Sequence, residues 1–294
     1  MLKHFGELLT AMVTPFDENL EVDLEKVREL SRYLINNGSD GLVVLGTTGE
    51  VPTLTKTEKI AILENVVDEV GEEATIVAGT GSYSTFASIE MTKKAEEIGV
   101  DGIMLVGPYY NKPPQEGLYR HFSMIAEKTS LPVMIYNVPS RTSRNIEADT
   151  VARLSEIDNI IAVKEASGDI AQVAEISRKT DDDFNIYSGD DNLTLPALSV
   201  GGQGVISVAS HVAGEEIKNM IQTYKAGNIN KATEINKKLG PLFSGIFITT
   251  NPIPIKAALD MKGLEVGSLR PPLIDLDEEK RGKLKNILNQ MNLI

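Results

Sequence analysis

The chain has 294 residues, 41% of them apolar and 24% charged, enough to bury a sizeable core and ordinary for a soluble globular protein. It holds no cysteine, which excludes disulfides, thiolate catalysis and cysteine-based metal sites, and its three histidines (His4, His121 and His211) lie too far apart for a zinc-type spacing. A formal net charge of −13 argues against general binding to nucleic acid or anionic membranes, but not against a small anion met by a few local donors.

The opening Met1-Leu2-Lys3-His4-Phe5-Gly6-Glu7 lacks a long apolar signal core, and no apolar run reaches bilayer length. A soluble, intracellular protein, compatible with the cytoplasm, is expected. The first strand-like run covers 8–16 and is followed by a helix over 23–37, with Asp23 as N-cap, Val27, Leu30 and Leu34 on one face, and Gly38 as stop. A strand over 41–46 leads to a helix over 56–70, whose buried stripe is read as Ile60, Leu63, Val66 and Val67. Then come a strand over 75–80, a helix over 85–98 ending at Gly99, a strand over 102–107 and a helix over 117–128. The pattern repeats with strands over 132–137, 160–165, 184–190 and 204–208, and helices over 148–155, 170–180 and 193–200.

These runs are apolar without in/out alternation, as in a parallel sheet covered on both faces. Eight of them alternating with helices predict an α/β fold, a closed (β/α)8 barrel. After the eighth, the chain reads as helix alone over 215–226, 229–244, 252–262 and 278–291, with a loop over 267–272. The expected organisation is a catalytic barrel over 1–223 and a small C-terminal α-helical domain over 224–294.

Active sites of this fold lie at the C-terminal ends of the strands. Lys164 sits near the end of Ile160-Ile161-Ala162-Val163-Lys164-Glu165. Partial desolvation there would free its amine to attack a carbonyl, while the alternative is a structural ion pair with Glu165. Gly46-Thr47-Thr48-Gly49-Glu50 follows strand two; its glycines and hydroxyls suit a carboxylate or phosphate, and equally a capped βα turn. Tyr136 ends strand five, placed to relay a proton, and Arg141 in the following loop could grip a carboxylate. The blander readings are a strand aromatic and a solvated loop residue. Pro108-Tyr109-Tyr110-Asn111 displays two aromatics, for an interface, a binding site or local packing. Ser188-Gly189-Asp190-Asp191 could offer a metal two carboxylates, but a helix N-terminus explains them better. Gly79-Thr80-Gly81-Ser82 lacks the third glycine of a dinucleotide fingerprint and reads as a turn, and neither His121 nor His211 is expected to act as a general base.

Gly46-Thr47-Thr48-Gly49-Glu50, Pro108-Tyr109-Tyr110-Asn111, Tyr136-Asn137-Val138-Pro139-Ser140-Arg141-Thr142, Val163-Lys164-Glu165-Ala166, Ser188-Gly189-Asp190-Asp191, Gly204-Val205-Ile206-Ser207 and Asn251-Pro252-Ile253-Pro254-Ile255-Lys256 together resemble the dihydrodipicolinate synthase family of the pyruvate-dependent class I aldolase, or N-acetylneuraminate lyase, superfamily. The resemblance implies a lyase that condenses pyruvate with L-aspartate 4-semialdehyde to give 4-hydroxy-tetrahydrodipicolinate, the first committed step of diaminopimelate and lysine biosynthesis. It implies no cofactor and no metal. Lys164 would form the Schiff base, and Tyr136, Thr47 and Tyr110 the proton relay, with Tyr110 supplied by a neighbouring subunit of a dimer of dimers. Thr48 and the surroundings of Ile206 would hold pyruvate, Arg141 the second substrate, and Gly189 would line the pocket. The alternative is a sugar-acid aldolase, of the N-acetylneuraminate or 2-keto-3-deoxygluconate lyase type, on the same Schiff-base chemistry. Arg141 and the paired threonines favour the synthase, and retention of Lys164, Tyr136 and Tyr110 disfavours a catalytically silent keto-acid sensor. Where many members bind inhibitory lysine with an asparagine, a glutamate and two histidines, this chain carries Tyr83, Ala87, Lys56 and Lys59. Insensitivity to lysine is expected, because a carboxylate is lost and cations are gained.

Overall fold

The computed structural model describes residues 4–294; of the opening segment read as lacking a signal core, Met1, Leu2 and Lys3 lie outside them. Eight strands form where the apolar runs predict them: β1 (Leu8–Ala11), β2 (Gly41–Val44), β3 (Thr75–Gly79), β4 (Gly102–Val106), β5 (Val133–Asn137), β6 (Ile160–Glu165), β7 (Asn185–Ser188) and β8 (Gly204–Ser207). They follow one another in sequence order around a closed barrel. Several are shorter than their apolar runs because the chain leaves extended geometry early; Leu45, just after β2, already has φ 60°.

One compact unit comprises Thr75–Ile206 and the segment ending at Glu7. Its neighbouring strands from β3 to β8 pair in parallel. Ile76, Val77, Ile103, Leu105, Val133, Ile135, Ala162, Val163 and Val205 are fully buried there, which is why these stretches read as unbroken apolar runs. The Tyr187 hydroxyl donates to the Gly6 carbonyl and accepts from the Phe5 N–H, both at 3.0 Å, tying the start of the chain to β7. His121 is buried against Thr85, with Nδ1 2.9 Å from its hydroxyl, and burial lowers its pKa to about 4.

The second unit comprises Leu8–Ala74 and Ser207–Ile294. It holds β1 and β2 and, at its C-terminal end, the helices Ser210–Lys225, Ile229–Gly245, Ile253–Met261 and Glu278–Gln290. Asp23 caps the helix Leu24–Asn36 by accepting from the Lys26 N–H at 3.0 Å, and Val27, Leu30 and Leu34 are buried beneath it. Thr55 and Glu58 make a reciprocal capping box on the helix Lys56–Val70. Two features of that region differ from the sequence reading. The Lys56–Val70 helix buries Ile62, Leu63, Val66 and Val70, leaving Ile60 and Val67 half-exposed. Apolar residues outnumber the inward arc, so packing of the 62–66–70 ridge, not periodicity alone, selects the face. The helix expected to start at 215 begins at Ser210, with a kink at Ala213. His211 Nε2 accepts from the Val13 N–H at 3.1 Å, which leaves Nδ1 to donate to the Val208 carbonyl at 2.9 Å. Both ring nitrogens are committed, and burial lowers its pKa to about 4. No helix among the described residues is long and apolar enough to cross a membrane.

The Asp23 cap is expected to contribute about 1 kcal/mol. Asp23→Ala should lower the denaturation midpoint accordingly, Asp23→Asn should not, and neither should alter activity.

Candidate active site

Register places the lysine. In the first unit β5, β6 and β7 align Tyr136 beside Lys164 and Lys164 beside Tyr187. Residues in register on neighbouring strands point to the same face. The Lys164 ammonium nitrogen accordingly lies 4.4 Å from the centroid of the Tyr136 ring. Both side chains are 5% exposed. Glu165, one residue on, points to the opposite face, as alternation requires. Its carboxylate accepts from Asn137 Nδ2 at 2.9 and 3.1 Å, from Gln172 Nε2 at 2.9 Å and from the Ser167 N–H at 2.7 Å. Lys164 makes no ion pair among the described residues, so the structural pairing with Glu165 is not formed.

Burial sets the state of the amine. It lowers the Lys164 pKa from 10.5 to about 8; Asp190 and Asp191 act in the opposite direction and Arg141 adds to the lowering. Asp190 responds in kind: burial raises its pKa and the lysine charge pulls it down. Asp191, read as part of a helix N-terminus, starts the single turn Asp191–Leu193 and is 1% exposed. Gly189 packs directly on the lysine stem. A Cβ there would lie 2.6 Å from Ala166 Cβ and 3.1 Å from Lys164 Cε, so a larger residue would displace the amine or its strand. Ile206, near the end of β8, is fully buried.

Arg141 was expected in a loop, but it stands on a one-turn helix, Pro139–Thr142, and is exposed. Pro139 sets the first φ, and the N–H groups of Arg141 and Thr142 close the turn on the Val138 carbonyl at 2.9 and 3.1 Å. The Glu165 cluster holds the far end of this segment. Asn137, bound to Glu165, also donates to Asn145 Oδ1 at 2.8 Å and accepts from the Ile146 N–H at 2.9 Å. Tyr110, at φ 72°, is 95% exposed in the single chain, while its neighbour Tyr109 packs edge-on against Tyr83 at 5.4 Å.

The threonine loop belongs to the second unit. Turn bonds from the Gly49 N–H to the Gly46 carbonyl and from the Glu50 N–H to the Thr47 carbonyl, both 3.1 Å, leave the N–H groups of Thr47 and Thr48 outside the turn's own bonding. Thr47 is half-buried and Thr48 is 3% exposed. Thr14 Oγ1 donates to the Gly49 carbonyl at 2.7 Å, and Glu50 is held at φ 54°. Such a turn presents donors to an anion.

Sequence reasoning missed the supports of this loop. Asn251 Nδ2 donates to Thr48 Oγ1 at 2.9 Å, and the Lys256 ammonium pairs with Glu50 at 2.8 Å with both side chains almost wholly buried. The partners are some two hundred positions apart, so no local pattern connects them.

The Dihydrodipicolinate synthetase family model matches residues 4–291. A 4-hydroxy-tetrahydrodipicolinate synthase of Desulforudis audaxviator is 55% identical over 294 residues, covering 100% of both chains. The crystal structure of a dihydrodipicolinate synthase from Bacillus anthracis is 53% identical with a TM-score of 0.95, covering 97% of this chain and 98% of that one. That of the enzyme from Cyanidioschyzon merolae, solved with lysine bound, is 45% identical with a TM-score of 0.97, covering 99% of each chain.

With the lysine pKa at about 8, the neutral amine increases as pH rises through that value. The rate of imine formation with a small keto acid should rise over the same range. Asp190→Asn removes a charge that favours the ammonium and should move the rise to lower pH; Arg141→Ala should move it higher. A midpoint near the ordinary lysine value in the unaltered protein would contradict the effect of burial.

Proposed function

The chain belongs to the dihydrodipicolinate synthetase family, as a lyase of the 4-hydroxy-tetrahydrodipicolinate synthase type in lysine and diaminopimelate biosynthesis, and we propose that it joins pyruvate to L-aspartate 4-semialdehyde through a Schiff base on Lys164. The observation that carries the assignment of the nucleophile is a buried lysine, its pKa lowered to about 8, beside a buried tyrosine and free of any ion pair among the described residues. The neutral amine attacks the keto carbon, and water leaves to give the imine. Loss of a methyl proton gives the enamine, which adds to the aldehyde of the second substrate. The amino group of that substrate then displaces Lys164 as the ring closes, so one water is released for each pair of substrates joined.

In this reading Tyr136, Thr47 and Tyr110 relay protons. Thr48 and the surroundings of Ile206 hold pyruvate, Arg141 holds the carboxylate of the semialdehyde, and Gly189 leaves room for the lysine stem. The barrel over 1–223 carries the chemistry and 224–294 the helical appendage. The protein works in the cytoplasm as a dimer of dimers. The 95% exposure of Tyr110 in one chain supports its service to a neighbouring subunit. Tyr83 and Ala87 are both exposed, and neither offers a carboxylate to a bound lysine.

Borohydride with pyruvate should add one reduced pyruvyl group to the protein, and Lys164→Ala should abolish the adduct; an alanine variant that still traps pyruvate would overturn the nucleophile assignment. Turnover with aspartate semialdehyde but not with sugar aldehydes separates the synthase from a sugar-acid lyase. Tyr136→Phe should lower kcat on the order of a hundredfold while trapping persists. Mixing Lys164→Ala with Tyr110→Phe chains under subunit exchange should restore about a quarter of the unaltered rate, because one site in each mixed pair regains both groups; no recovery would place Tyr110 within its own chain's site. Activity should be insensitive to lysine, and half-inhibition at sub-millimolar lysine would refute that.

A further inference from the structure

We propose that Asn251 is a positioning residue for the keto-acid carboxylate: its side-chain amide occupies a lone pair of the Thr48 hydroxyl and so reserves that hydroxyl's one hydrogen for the ligand. The inference rests on the assignment of Thr48 to pyruvate made above.

A threonine hydroxyl has one hydrogen and two lone pairs, and its rotor turns to suit its partners. Asn251 Nδ2 donates to Thr48 Oγ1 at 2.9 Å, and the two residues are 7% and 3% exposed. No acceptor for the Thr48 hydrogen is found among the described residues. A hydroxyl that already accepts one hydrogen bond is polarised to donate another, and this one is steered to do so before any ligand arrives. The gain is directional, since a preset donor favours an anion where an unguided hydroxyl would rotate.

The same segment grips the loop a second time. Five residues after Asn251, on the helix Ile253–Met261, Lys256 pairs with Glu50 Oε1 at 2.8 Å and donates to the Ser268 carbonyl at 2.9 Å. The other Glu50 oxygen accepts from the Arg270 N–H at 3.0 Å. Lys256 and Arg270 both lie over the Phe16 ring, at 4.2 and 4.5 Å from its centroid. A buried ion pair is a poor source of net stability because desolvation offsets the attraction. Its occurrence on a non-glycine residue at φ 54° fits a device that fixes where the loop sits. Thr48 and Glu50 are two residues apart, so the direction of one hydroxyl is set by anchors on both.

Asn251→Asp keeps the shape and replaces the donor with an acceptor, to which the Thr48 hydroxyl would turn. The expected result is a rise of about tenfold or more in KM for pyruvate, with kcat at saturating pyruvate within about threefold of the unaltered enzyme. In a Thr48→Val background the same change should have no further effect on KM. An unchanged KM in Asn251→Asp, or an equal rise in both backgrounds, overturns the inference. If the aspartate variant does not fold, Asn251→Ala is read by the pyruvate concentration that half-saturates borohydride trapping, and no change there overturns it equally. Failure of the unaltered enzyme to trap pyruvate would instead defeat the assignment of the site itself.

Discussion

The parallel register of β5, β6 and β7 is the constraint from which the chemistry follows. Backbone hydrogen bonds between these strands set Tyr136, Lys164 and Tyr187 side by side. A slip of one residue on β6 would turn Lys164 outward and bring Glu165 in. The register is secured from the other face. Glu165 gathers Asn137, Gln172 and the Ser167 N–H, and Asn137 reaches on to Asn145 and Ile146. The carboxylate that could have neutralised the lysine thus binds strand to strand, and it leaves the lysine amine without that ion pair.

An amine buried beside an aromatic ring resists protonation because the low-dielectric surroundings solvate an ammonium poorly. Burial acting alone would lower the basicity of the amine further. Asp190 and Asp191 restrain the shift, so the pKa settles near 8 instead of falling further. The balance is between burial and two nearby carboxylates, and the lack of a side chain on Gly189 leaves the lysine stem uncrowded.

The second unit solves a different problem. A turn that shows N–H groups and hydroxyls to an anion cannot satisfy those donors itself, and it tends to relax. Here it is held by side chains from the far end of the sequence: Asn251 on Thr48, and Lys256 with Arg270 on Glu50. In holding the turn, Asn251 and Lys256 give the C-terminal segment a role beyond burying apolar surface.

Much of this was legible in the sequence. Unbroken apolar runs marked all eight strands, because a strand covered on both faces has no polar side to show. Caps marked helix starts, as at Asp23, and glycines marked stops, as at Gly99. Lys164, Tyr136 and Thr47-Thr48 stood out as chemical groups at strand ends. What sequence could not resolve was which neighbour each group would have. Local periodicity put Ile60 and Val67 on the inward face of Lys56–Val70, where packing buries Ile62 and Val70 instead, and it missed the helical turn under Arg141. It left Lys164 balanced between nucleophile and ion pair, and only the structure shows the Glu165 carboxylate taken up by Asn137, Gln172 and the Ser167 N–H. The bonds from Asn251 and Lys256 to the threonine loop span about two hundred residues and were invisible. Composition and pattern determine local conformation because those forces act over a few residues. Charge state, side-chain partners and loop position depend on groups brought together by folding, and only the tertiary structure decided them.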